Sequence, residues 1–277
     1  MNKFMTIGVV AVMAAGFAGA QDALLIVEEP ATDASQTEVS AEAALVTAYV
    51  WRGQVYNNDF VFQPQLTASQ YGVSLNVWGN YDLGKNVAGI ENDFSELDIS
   101  LAYTLPLNLN DFSFDVGVIN YNFPANADGL DSDGNPIGEN AQSVTELFGA
   151  AHLMSFQEYV IPSVTLFGSV HRAHGVYILF DVVAPYQLSD FAWVEGGVSA
   201  GWGDSSYNDY YWGGNQDGKF NDFNFYVNGS YEIYENVTAS ANITYTMLNG
   251  GSIRNAAKEI YEDDQKVWAG VNIAYDF

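Results

Sequence analysis

The stretch Lys266-Val267-Trp268-Ala269-Gly270-Val271-Asn272-Ile273-Ala274-Tyr275-Asp276-Phe277 decides how the chain is to be read. Val267, Ala269, Val271, Ile273, Tyr275 and Phe277 share one face of a period-2 strand, and Trp268, Gly270, Asn272, Ala274 and Asp276 share the other. One face is apolar and the other, after Trp268, small or polar. Working outward, eleven further runs of about ten residues carry the same patterning. They are Ala43–Gly53, Phe60–Gln70, Val73–Asp82, Glu96–Leu105, Phe112–Phe123, Val144–Leu153, Ser163–His171, Val176–Tyr186, Ala192–Gly203, Asp222–Tyr231 and Val237–Met247. Ten residues is the length a tilted strand needs to cross a bilayer.

The gaps between runs alternate in length. Tyr71-Gly72, Pro106–Asp111, Met154–Pro162, Gln187–Phe191 and Glu232–Asn236 are short or modest. Leu83–Ser95, Pro124–Ser143, Asp204–Asn221 and Leu248–Gln265 are long and polar, and Arg172–Gly175 is the exception on that side. Lipid-fit faces such as Leu97/Ile99/Leu101/Tyr103 and Phe223/Phe225/Val227 stand opposite Glu96/Asp98/Ser100/Thr104 and Asn224/Asn228/Ser230. In hydrocarbon every backbone polar group must be paired, so strands of this kind span only as a closed barrel. The pattern predicts an all-β fold: a transmembrane antiparallel up-and-down β-barrel of about twelve strands. Long extracellular loops and short periplasmic turns follow, with both termini on the turn side. Tyr49, Trp51, Trp202, Tyr231 and Trp268 end runs where interfacial aromatics belong. In the first run both faces are fairly apolar. A soluble sandwich is the alternative, and it leaves the loop asymmetry unexplained.

Residues 1–20 read as a secretory signal: Lys3, an apolar core from Met5 to Ala15, and a small-residue site that places cleavage between Ala20 and Gln21. Residues 21–41 read as an acidic periplasmic linker, mostly disordered, and 42–277 as the barrel. The 18 Tyr, 17 Phe and 6 Trp, with only 15% charged residues, suit a membrane barrel better than an ordinary soluble domain. A net charge of −26 excludes a basic nucleic-acid footprint, and the lack of cysteine excludes disulfides and thiolate chemistry.

A chain closing on Tyr275 and Phe277 resembles the terminal signature that outer-membrane barrels present to their assembly machinery. A second resemblance begins at Tyr49-Val50-Trp51-Arg52-Gly53. With Phe62-Gln63-Pro64-Gln65-Leu66, Tyr71-Gly72-Val73, Trp78-Gly79-Asn80, Glu96-Leu97-Asp98, the stretch Asp115–Pro124 and Thr145-Glu146-Leu147, it is similar to the TorF-type porin family. The likeness covers roughly the first half of the chain after residue 20. It departs at Gln54-Val55, where the family places a Ser/Thr-Gln pair, and in its longer acidic loops. It implies a diffusion channel of the Gram-negative outer membrane, embedded in outer-membrane lipid, with no catalytic residue.

Candidate pore-lining residues are Arg52, Asp98, Asp115, Glu146, Asp181 and Glu195. Carboxylates along a pore favour cations, so the expected activity is passive diffusion of small hydrophilic solutes or ions, cations foremost. Arg52 reads equally as a lone cation in the pore or as a strand end bonded to carbonyls. Twelve strands enclose a narrow lumen, so the alternative is a non-conducting barrel that binds or scaffolds through acidic loops, with bulky residues such as Phe148 and Tyr226 crossing the bore. Asp131, Asp133 and Asn135 carry the first spacings of an EF-hand loop. Pro136 and Gln142 break that motif, leaving a weak surface site for a divalent ion shared with Glu139. The cluster Tyr207, Tyr210, Tyr211 and Trp212 either stacks on a sugar or packs over the barrel mouth. Ser169 and His171 share a face of one run and Asp181 lies on the next, a set to weigh as a hydrolase triad, but no nucleophile motif supports it. No enzyme activity and no cofactor is expected.

Overall fold

The computed structural model describes residues 37–107, 109, 111–124, 143–261 and 263–277. Its strands are β1 (Glu38–Val46), β2 (Tyr49–Trp51), β3 (Gln54–Asn57), β4 (Val61–Gln70), β5 (Val73–Asp82), β6 (Asp93–Thr104) and β7 (Phe112–Asn122). After them come β8 (Ser143–Leu153), β9 (Ile161–His171), β10 (Val176–Ser189), β11 (Ala192–Gly203), β12 (Lys219–Tyr234), β13 (Val237–Leu248) and β14 (Gln265–Asp276). Two short helices, α1 (Ser205–Trp212) and α2 (Ser252–Ile260), sit in the loops before β12 and β14. Twelve strands close a barrel in the order β1-β14-β13-β12-β11-β10-β9-β8-β7-β6-β5-β4, every neighbouring pair antiparallel. β1 is hydrogen-bonded on both sides, to β14 and to β4, so no edge strand is left.

Period-2 alternation decides which side each residue takes. Leu66, Ile99, Leu147, Phe225, Ile243 and Val271 point outward, each about half exposed or more, in a continuous apolar belt around the wall. A belt of this extent far exceeds the apolar patches that water-soluble monomers expose, so lipid is its solvent. No helix among the described residues is long and apolar enough to cross a membrane. The strands do the spanning. The two-residue connections Tyr71-Gly72, Asp190-Phe191 and Glu235-Asn236 share one end of the barrel with the start of β1 and the end of β14. At Tyr71 (φ 54°) and Gly72 (φ 77°) both central residues are left-handed, the hairpin geometry that matches strand twist. The long connections, with α1 and α2, lie at the other end. These are called the turn end and the loop end below.

Eleven of the twelve expected runs become wall strands within a few residues of their expected bounds. The first does not. A strand over Ala43–Gly53 is replaced by β1 at Glu38–Val46, which begins inside the segment assigned to the linker. The chain then leaves the wall, and β2 and β3 form a separate two-stranded hairpin. The physical reason is the composition of residues 49–55. Both faces are apolar because both are buried, a pattern that fits no wall strand with one side toward lipid and one toward water. Tyr49 and Trp51 are therefore not interfacial: both are buried inside, as is inward-facing Trp268, whereas Tyr231 faces outward and is exposed.

Candidate functional site: the lumen and its inward hairpin

The hairpin β2–β3 enters the loop end of the lumen. Its turn is Arg52 (φ 46°) and Gly53 (φ 83°), again left-handed at both positions. Gly53 lets the turn pass close to the wall: a Cβ there would stand 2.3 Å from Leu248 Cδ2 and 2.9 Å from Asp222 Cβ. Gly53→Val would combine a β-branched residue at positive φ with that clash. It is expected to unseat the hairpin and leave the barrel strands intact. Near-ultraviolet circular dichroism from Trp51 and Tyr49 should fall while far-ultraviolet strand signal holds; an unchanged near-ultraviolet spectrum would contradict this seating.

Side-chain contacts from strands of the wall and from the last loop hold the hairpin. Arg52 Nη1 and Nη2 donate to Glu146 Oε1 (3.1 Å) and Oε2 (2.8 Å) on β8, a forked ion pair with both side chains at most 1% exposed. The Tyr49 hydroxyl donates to Glu96 Oε2 on β6 at 2.7 Å. Asn57 Nδ2 donates to Asp82 Oδ1 on β5. Tyr261, just after α2, donates its hydroxyl to Gln54 Oε1 at 2.6 Å. The Arg52 guanidinium lies 4.3 Å from the ring centres of Phe167 and Tyr177 and 4.5 Å from that of Trp51. Such a cage is worth about 2 kcal/mol when dry.

The loop-end helices complete the seal. Tyr211 of α1 packs edge-on against Trp51 at 5.2 Å, and Trp212 packs against Tyr261 at 5.5 Å. Ile253 and Ala257 of α2, Trp212, Val55 and Leu248 belong to one buried cluster with the hairpin and the wall. The aromatic cluster of residues 207–212 thus packs over the barrel mouth, and the loop before β12 folds inward. The seal is not fully satisfied internally. Among the described residues Trp51 Nε1, Gln54 Nε2 and Trp212 Nε1 are buried without an acceptor, and each such group costs about 1–3 kcal/mol. A plug carrying these penalties is easier to displace than an apolar one.

Asp264 ties α2 to the mouth. It is bonded to Arg254 and lies 3.3 Å from Lys258. Burial pushes its carboxyl up, but hydrogen bonds and charge from those two cations outweigh it and hold the group below its ordinary value. A depressed acid contributes stability at neutral pH and loses it as pH falls through its folded value. Hydrogen-exchange protection of α2 should be flat from pH 7 to 5 and decline below about pH 4. Protection that fell already between pH 7 and 5 would contradict the assignment.

Below the hairpin the lumen changes character. Inward residues near the loop end, such as Val46, Val61, Asp82, Tyr177 and Leu248, are fully buried. Ser113, Ser163, Asp181, Glu195 and Ser240, nearer the turn end, are partly exposed. Toward the turn end the bore is thus open only in part, since inward Ser69, Asp115, His152 and Thr165 there are buried. Phe148 and Tyr226 do not cross it. They lie against the wall over glycines of the neighbouring strands: a Cβ at Gly117 would meet Phe148 Cε1 at 2.4 Å, and one at Gly197 would meet Tyr226 Cζ at 2.1 Å. What blocks the loop end is the hairpin, which periodicity had placed in the wall.

The six pore-lining candidates all point into the lumen, at different depths. Arg52 and Glu146 meet at the loop end. Asp98 is buried, directly across from Trp78 on β5 and from Tyr121 on β7. Asp181 accepts from the Tyr226 hydroxyl at 3.0 Å and Glu195 from Asn228 Nδ2 at 2.7 Å. Asp115 takes a hydrogen bond from Thr104 at 2.6 Å and contacts His152 Nε2 at 3.0 Å. Sequence reading did not pair His152 with Asp115, because the two lie 37 residues apart on adjacent strands. Glu42 was missed because β1 was misplaced. No triad forms around His171: Ser169 donates to the His171 carbonyl, and Asp181 is engaged by Tyr226. Asp131, Asp133, Asn135 and Glu139 lie outside the described residues, as do Ala20 and Gln21. Among the described residues no group of three or more His, Asp or Glu is placed to hold a metal ion.

Residues 30–217, two thirds of the chain, match the family model described as a bacterial protein of unknown function (Gcw_chp). No protein of curated function is similar in sequence. Among solved structures, LpxR from Salmonella typhimurium superposes with a TM-score of 0.52 at 11% identity, covering 85% of this chain and 99% of its own. The KdgM porin in complex with disordered oligogalacturonate gives a TM-score of 0.50 at 9% identity, covering 87% and 99%. At these identities the likeness is one of fold.

Proposed function

The chain belongs to the bacterial family Gcw_chp, whose function is unknown, and from that premise we propose a porin-type barrel of a Gram-negative outer membrane. It passes small hydrophilic solutes passively, favours cations, and catalyses no reaction. The observation that carries this reading is the sorting of charge along the bore. Every Lys and Arg among the described residues stands at the loop end: Arg52, Lys85, Arg172, Lys219, Arg254, Lys258 and Lys266. Toward the turn end the inward ionisable groups include Glu42, Asp115, Asp181, Glu195 and Asp276, with His152 held by Asp115. A narrow passage lined by one sign of charge concentrates the opposite sign.

The likeness of residues 49–147 to TorF-type porins fits the same reading. Residues 1–20 are the proposed export signal, residues from 21 to the start of β1 a periplasmic linker, and the turn end the periplasmic end. β14, which closes the barrel with Tyr275 and Phe277 facing outward, is the strand proposed to engage the assembly machinery.

The hairpin favours a second reading, a barrel that stays shut and acts as a binding or scaffolding protein through its acidic loops. Proteoliposome swelling separates the two. Swelling in small amine salts faster than in anions of the same size supports the cation-favouring channel. Equal rates for both charges sink the acidic-lumen argument. No swelling in any solute moves the assignment to the shut barrel.

A further inference from the structure

Three inward asparagines lie side by side on adjacent strands in the turn-end half of the bore. Asn228 on β12 stands directly across from Asn242 on β13, and Asn272 on β14 is one diagonal step further round. Carboxylates flank them. Asn228 Nδ2 donates to Glu195 Oε1 at 2.7 Å, and Asn272 Nδ2 donates to Glu42 Oε2 at 3.0 Å. Glu42 Oε1 is taken by Gln65 Nε2 at 3.3 Å. A carboxylate only accepts, so these contacts fix which way the two outer amides turn: NH₂ toward the carboxylate, oxygen away from it. The Asn242 amide nitrogen faces Thr244 Oγ1 at 3.3 Å. The result is that Oδ1 of Asn228, Asn242 and Asn272 accepts no hydrogen bond from any described residue, although each side chain is more than nine-tenths buried.

An arc of three unpaired amide oxygens between two carboxylates leaves acceptors unmet. Leaving a buried acceptor unmet is unfavourable, and three in a row beside two negative charges call for a positive partner. No Lys or Arg among the described residues reaches this level of the bore. Carbonyl-type oxygens are what replace the hydration shell of a monovalent cation, and they equally accept the N–H groups of a primary ammonium.

We propose that the arc formed by Glu195, Asn228, Asn242, Asn272 and Glu42 is a cation-binding belt, for a desolvated monovalent metal ion or a primary ammonium group. The belt rests on the lumen being reached from the turn end, part of the channel reading, and needs no current through the loop end. Cβ atoms of directly opposed residues are about 5 Å apart and diagonal neighbours about 7 Å, so one small cation can touch two amides at once.

The test is equilibrium dialysis of the refolded full chain in detergent micelles against radiolabelled rubidium or radiolabelled methylammonium, with tetramethylammonium as competitor. Retention is expected in preference to empty micelles, uncompeted by tetramethylammonium, which is bulky and has no N–H. Affinity should fall at least about tenfold in Asn242→Leu and in the Glu42→Gln/Glu195→Gln pair, since a charge-assisted contact is lost in each. Rubidium retained assigns the belt to a metal ion, methylammonium alone to an organic amine. No retention of either, competition by tetramethylammonium, or unchanged affinity in both variants overturns the proposal. The native-chain arms hold even if a variant fails to refold. Binding by a barrel that never conducts would uphold the belt and reject the channel, so the two readings fail separately.

Discussion

Arg52→Ala is expected to lower the unfolding free energy of the refolded barrel by roughly 3–5 kcal/mol, the cost of leaving a buried charge without its partner. Glu146 would remain in the bore with its carboxylate sealed from water, keeping only neutral donors such as the Tyr121 hydroxyl at 3.0 Å. The cation–ring contacts with Phe167, Tyr177 and Trp51 would be lost as well. The reciprocal change, Glu146→Ala, strands the guanidinium and should be comparably severe. The double variant Arg52→Met/Glu146→Leu removes both charges and fills the space, so it should recover most of the loss. It leaves the Tyr121 hydroxyl short of one acceptor, a cost of about 1 kcal/mol. Denaturant unfolding in micelles measures all four chains. Single variants that lose less than about 1 kcal/mol would mean the pair is solvated, contrary to its burial.

Excising the hairpin has the largest expected effect on function. β1 ends at Val46 and β4 begins at Val61, and the two strands are already paired, Val46 opposite Val61. A two-residue Asn-Gly turn can replace residues 47–60 without moving a wall strand. The wall keeps the pairing between its strands, losing the bonds of Thr47 with Ala269 and of Phe60 with Leu83, and the loop end loses the side chains on which Tyr211 and Tyr261 rest. Solute flux should rise from the slow rate set by hairpin displacement to the rate of an open bore. A shortened chain that folds and remains as tight as the native one would place the seal in α1 and α2 instead.

The barrel itself was legible in sequence because lipid and backbone pairing impose strict rules. Ile99, Phe225 and Val271 alternate with polar partners since one face meets hydrocarbon and the other the bore, and the short connections at Tyr71-Gly72 and Glu235-Asn236 carry hairpin chemistry. The hairpin was not legible for the converse reason. Tyr49, Val50, Trp51 and Val55 are enclosed on all sides, so they show no alternation, and a run of apolar residues ten long looks like a spanning strand. The signal that could have exposed it is Gly53, a residue suited to a tight left-handed turn, standing between Trp51 and Val55 with apolar residues on both sides. Site residues fared by the same logic. Asp98, Asp181 and Glu195 follow from parity along their strands, whereas the Asp115–His152 pair depends on register between β7 and β8 and the Arg52–Glu146 pair on the hairpin's docking against β8. Periodicity within a strand carries no information on register.

The most direct measurement is single-channel current across a planar bilayer under a salt gradient, recorded for the native chain and for the hairpin-excised one. The account predicts brief, infrequent openings for the native chain and sustained conductance for the excised chain, both with a reversal potential of cation-selective sign. An excised barrel that is folded yet silent, or one that conducts with anion selectivity, would contradict it.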